Sequence, residues 1–139
     1  MFKYIEPEVP GGLGDKTEMD TSIHPPIVHS FECYLDGWLG DCILEIFPCF
    51  IVTQAAKDDI ENLKLTGIVF DDLTVTKTEI FNEFYQHIEI PKLFWAKING
   101  LAGIDDFGLS NDFRLVISES SFNVLNVNKL QNAIFSDFE

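Results

Sequence analysis

Positive charge is scarce in this sequence: nine Lys and Arg stand against 23 Asp and Glu, for a net charge of −14 in 139 residues and a pI near 4.3. Such a surface repels DNA, RNA and anionic lipid over most of its area, so direct nucleic-acid or membrane binding is excluded as the expected function. Long apolar runs are missing too. No stretch approaches the roughly 18 to 20 residues that cross a bilayer, and no basic-then-apolar leader opens the chain, so the expected location is the cytoplasm. The cysteines are only three, Cys33, Cys42 and Cys49. Their odd number and spacing fit neither a closed disulfide set nor a zinc site, which leaves buried thiols in a reducing compartment.

What is plentiful is apolar material. The apolar fraction is 46%, with thirteen Phe, two Trp and three Tyr. A chain of this length buries roughly 68 to 70% of its unfolded surface, so one aromatic-rich domain spanning residues 1–139 is expected. The acids are unevenly spread. Residues 32–72 hold nine carboxylates against Lys57 and Lys64, a net of −7. Half the net charge thus lies in under a third of the chain, as a basic partner would require.

Pro7, Pro10, Gly11, Gly12 and Gly14, followed by Pro25 and Pro26, predict an irregular N-terminal arm over 1–26, with a short strand near Phe2–Ile5. Partial alternation predicts a strand over 27–35 and a turn around Trp38. The apolar run Cys49–Val52 predicts a central strand, capped by Thr53 before a helix over 54–64 that Gly67 stops. A strand over 68–75 carries Asp71 and Asp72. The Thr76–Glu79 spacing predicts a second helix to about Gln86, strands follow near 93–98 and 114–117, and a third helix follows Ser118. The class is α+β, a mixed or antiparallel sheet with about three helices.

Residues 51–73 match 116–138 at a constant offset of 65. Ile51, Val52 and Thr53 correspond to Val116, Ile117 and Ser118, Ile60 to Leu125, Leu65 to Leu130, and Phe70 and Asp72 to Phe135 and Asp137. Two strand–helix–strand units sharing one core are the expected consequence.

Motifs of chemistry are few. Asp106-Phe107-Gly108 spells a kinase metal-binding triplet without the glycine loop, strand lysine or catalytic loop that this chemistry needs. Asp105, Asp106 and Asp112 lack calcium-loop spacing, so neither metal nor cofactor is expected. His29 and Cys33 would share a strand face, which keeps a small hydrolase among the alternatives, although nothing else supplies a thiolate environment or an oxyanion hole. Trp38, between Gly37 and Gly40, is either a core plug or an interface anchor.

The Phe94-Trp95 strand ending at Gly100, the Asp105-Asp106-Phe107-Gly108 loop, the Leu115-Val116-Ile117-Ser118-Glu119 step leading to Leu125, and the earlier Phe50-Ile51-Val52-Thr53 together resemble an immunity protein of bacterial polymorphic-toxin systems, over roughly residues 43–135. The resemblance implies a cytoplasmic, non-enzymatic protein that binds and blocks a cognate toxin encoded by an adjacent gene, often a nuclease with a basic cleft. The expected contact residues are Asp41, Glu45, Asp71, Asp72, Asp105 and Asp106, with Trp38 as anchor. An acidic module of phage or mobile-element origin that mimics nucleic acid is the other binding alternative.

Overall fold

Cys49, Phe50, Ile51 and Val52 are all buried because the strand that carries them separates two hydrophobic clusters. Phe50 and Val52 face one cluster, Cys49 and Ile51 the other. A strand buried on both faces has no polar side to show, hence the unbroken apolar run. The computed structural model describes residues 1–139.

In chain order the elements are β1 (Phe2–Glu6), β2 (Gly11–Leu13), β3 (Glu18–Asp20), β4 (Ile27–Ser30), β5 (Glu32–Leu35), β6 (Ile43–Ile46) and β7 (Cys49–Thr53), followed by α1 (Gln54–Asn62). Then come β8 (Ile68–Asp71), β9 (Thr74–Lys77), α2 (Glu79–Phe84), β10 (Leu93–Ile98), β11 (Phe107–Leu109), β12 (Leu115–Ser118), α3 (Glu119–Val127) and β13 (Ile134–Phe138). The fold is α+β with three helices and mostly antiparallel sheets. One sheet runs β6-β7-β10-β8, a second β11-β12-β1-β13, a third β2-β5-β9 with β5 and β9 parallel, and β3 pairs with β4.

The first cluster lies where both four-stranded sheets meet α1 and α3, and includes Ile5, Val52, Ile60, Phe94, Ile117 and Leu125. The second lies on the other side of β7, where Phe31, Cys33, Leu35, Phe81 and Trp95 join sheet β2-β5-β9 and α2 to it. Residues 51–73 and 116–138 each form a strand, a hydroxyl cap, a nine-residue helix and a strand. Thr53 accepts a hydrogen bond from the Ala56 N–H at 3.4 Å, and Ser118 from the Ser121 N–H at 3.1 Å. The two strands of each segment are not neighbours: β10 lies between β7 and β8, and β1 between β12 and β13.

Several boundaries differ from the sequence expectation. The segment 1–26 is no irregular arm: β1 is an inner strand, pairing Tyr4 with Val116 on one side and Ser136 on the other, and β2 pairs with β5. Its glycines serve close approach, since a Cβ on Gly11 would run into the Tyr34 carbonyl. The strand expected over 27–35 breaks at buried Phe31 into β4 and β5, which belong to different sheets. The strand expected over 68–75 breaks at Asp72 and Leu73 into β8 and β9, again in different sheets. Helix α1 ends before Gly67, with Lys64 taking the left-handed φ of 55°. Helix α2 is capped by Thr78 rather than Thr76, which lies in β9, and it stops at Phe84.

Candidate functional site

The seven residues singled out from the sequence fall into two groups, those bound into the fold and those facing solvent. Asp41 is 0% exposed. Its carboxylate accepts hydrogen bonds from the backbone N–H of Gln131 (2.9 Å) and Asn132 (2.8 Å) and from the Asn132 amide (3.0 Å). It therefore ties the turn after β5 to the chain after α3, and offers nothing to a partner. Trp38 is half-buried against the second cluster and donates its indole N–H to the Asp41 carbonyl at 3.0 Å. Of its two readings, the structure shows the inward one.

Asp106 is committed in the same way. It accepts from the Thr66 N–H at 2.9 Å and from the Ser118 hydroxyl at 2.7 Å, joining the loop before β11 to the exit of α1 and the cap of α3. Asp105 accepts the Leu101 N–H at 2.7 Å and closes its own turn. The acid of the Asp106-Phe107-Gly108 triplet is thus a staple, and Phe107 is buried. Glu45 is half-buried on β6, and burial, followed by the nearby charge of Glu6, raises its pKa above the usual carboxylate value.

Asp71 and Asp72 are the exposed members. Asp71 pairs with Lys97 at 2.9 Å, and the hydrogen bond from Lys97, then that from the Asp72 N–H, holds its pKa low. Asp72 has no ion-pair partner and lines a cleft of about 570 Å³ between β9 and the chain entering β10, with Leu73, Val75, Lys77 and Ile90 among its walls. The acid-rich stretch 32–72 consequently does not form one acidic surface. Asp41 and Glu32 point inward, Glu32 accepting the Lys16 N–H at 2.8 Å.

Two features escaped sequence reasoning. Glu8 is 9% exposed, accepts the Leu39 N–H at 2.8 Å through Oε2, and leaves Oε1 without a hydrogen-bond partner. Burial, reinforced by the charge of Asp41, raises its pKa. The other feature is α2. The helix carries three apolar residues, Ile80, Phe81 and Phe84, before its C-cap Tyr85, yet only Phe81 is buried; Ile80 is 53% and Phe84 69% exposed, beside exposed Glu79 and Glu83. Too many apolar side chains in six residues was the signal.

The thiol chemistry of the hydrolase alternative meets an obstacle. Cys33 is 0% exposed and burial pushes its pKa up to about 12, as it does for Cys42 and Cys49, while His29 is exposed on the far side of the Phe31 break. A thiol held protonated is a poor nucleophile. No helix is long and apolar enough to cross a membrane. Comparison with protein-family models, with curated proteins and with solved structures finds no match to this chain.

Proposed function

We propose that this chain is a non-enzymatic, immunity-type binding protein that neutralises, in the cytoplasm, a toxin domain encoded beside it by covering a basic face of that domain. The observation that carries the reading is how few of the surface carboxylates are compensated. Of the nine cations, Lys3, Lys57, Lys97 and Arg114 are in ion pairs, and Lys77 and Lys92 lie over the Phe81 and Phe94 rings at 5.2 and 4.9 Å. Exposed acids, among them Glu18, Asp58, Asp72, Glu79, Glu83 and Glu119, stand without an ion-pair partner. A field of that sign speeds encounter with a basic surface and disfavours polyanions.

The test is co-expression with the product of the neighbouring gene. Rescue of growth with a one-to-one complex on size exclusion supports the reading, and a harmless neighbour that forms no complex removes it. Within the complex, Asp71→Lys combined with Asp72→Lys slows association at low salt and flattens its salt dependence. Unchanged association kinetics would take these two residues out of the interface.

A further inference from the structure

We infer that the outer face of α2 is the docking surface for the basic partner, with Phe84 as its anchor and Ile80 beside it. The inference rests on the reading above that the partner is basic, and adds which face meets it. Phe84 is the most exposed aromatic side chain in the molecule: Phe47 and Phe113 are 49% and 38% exposed, and neither Trp nor Tyr is an exposed residue. Ile80, four residues earlier, lies on the same side of the helix. Together they form an apolar pair that the second cluster leaves uncovered, since Phe81 alone fills the core position and Tyr85 closes over Gly37.

Charge identifies what covers it. Glu79 and Glu83, also four apart, occupy the side of α2 away from Phe81, and exposed Glu89 follows in the chain beyond the turn at Gln86 and His87. None of the three is in an ion pair. The nearest cation in sequence, Lys77, extends over the Phe81 ring. An aromatic anchor with an aliphatic neighbour, rimmed by unpaired carboxylates, complements a shallow apolar pocket rimmed by lysine and arginine. A second copy of this chain would bring Glu79 and Glu83 against their own counterparts, and an anionic lipid surface would be repelled by the same residues. Helix α2 is also well fixed. Thr78 caps it, accepting the Phe81 N–H at 3.3 Å while donating to Asp36 at 2.8 Å, so docking does not require the helix to form on binding.

Two measurements separate failure of this surface from failure of the function. In the first, the neighbouring gene's product is titrated with the full chain and with Phe84→Ala, Ile80→Ala and the control Ile104→Ala, which removes an apolar side chain 74% exposed outside α2. Phe84→Ala is expected to weaken binding by about tenfold or more and Ile104→Ala by less than about twofold. The reverse order overturns the α2 surface and leaves the function standing. In the second, a synthetic amphipathic lysine–leucine peptide is added to the isotope-labelled chain and amide shifts are mapped. Shifts centred on residues 78–90, reduced by Phe84→Ala and by salt, support the surface even if the neighbouring product does not bind. Shifts spread over carboxylates elsewhere overturn it, as does a free-chain dimer that Phe84→Ala dissolves, which would assign the face to self-association.

Discussion

The turn 36–41 and helix α2 are both acidic, both carry an aromatic side chain, and meet where Tyr85 packs over Gly37. They use those residues in opposite ways. In the turn, Trp38 leans inward and Asp41 is enclosed by the amides of Gln131 and Asn132. On α2, Phe84 and the carboxylates of Glu79 and Glu83 face water. A carboxylate enclosed by N–H groups holds chain segments together, whereas one without a partner contributes to the long-range field. Composition counts both alike. The difference between the two regions therefore predicts that acid substitutions cost stability in one and association in the other.

The largest effect should come from Asp41→Ala. It leaves two backbone N–H groups and one side-chain amide, on the exposed residues Gln131 and Asn132, without their part-buried acceptor, and such losses cost about 1 to 3 kcal/mol each when water does not repair them. Allowing for relaxation, a loss of about 3 kcal/mol is expected, read as a lowered urea midpoint, and Asp41→Asn should recover part of it. A variant as stable as the wild type would mean that Asp41 is no staple, and would break the comparison.

How much of this was legible beforehand depends on where each signal lies. The run Cys49–Val52 and the caps Thr53 and Ser118 are local, a few residues read against their neighbours, and the strand and helices stand where those signals put them. Strand β1 was missed as an inner strand because its partners are residues 115–118 and 134–138, and nothing in Phe2–Glu6 announces them. Gly11 misled for the same reason: read locally it means flexibility, but in place it permits contact with β5. Asp41 looked like a surface acid because its acceptor role is set ninety residues away. Asp71 and Asp72, expected near the middle of a strand over 68–75, are exposed where that strand breaks between β8 and β9. The α2 acids lay beyond the stretch with the highest charge density, and only the excess of apolar residues around them marked the helix as open.

Glu8 belongs with the inward group but lacks full satisfaction, and should respond to pH accordingly. Its pKa is raised in the folded chain, so the protein binds this proton more tightly folded than unfolded. The sign follows from linkage: below the ordinary value of 4.5 the group is neutral in both states and costs nothing, and as pH climbs through the raised folded value the penalty of a buried charge develops in full. Glu8→Gln keeps an acceptor for Leu39 and removes the charge. It should stabilise the chain at pH 7 by about 1 kcal/mol, and the advantage should fade as pH falls toward 4.5. Thermal midpoints of both proteins between pH 4 and 7 decide it. An advantage that grows on acidification would invert the argument.

The smallest stability effects should come from α2, where they carry a sign that tests whether its acids are free. Glu79 lies in the first turn, where the helix dipole favours negative charge, and Glu83 lies one residue from the end, where the dipole opposes it. Glu79→Gln should therefore cost about 0.3 kcal/mol, and Glu83→Gln should gain a similar amount or nothing, so the double variant melts as the wild type does. Association with a basic partner should nevertheless slow in the double variant, more at low salt than at high, because two carboxylates have left the rim around Phe84. If the double variant instead loses stability comparable to Asp41→Ala and associates at the wild-type rate, the α2 acids are staples like Asp41, and the distinction between the two regions collapses.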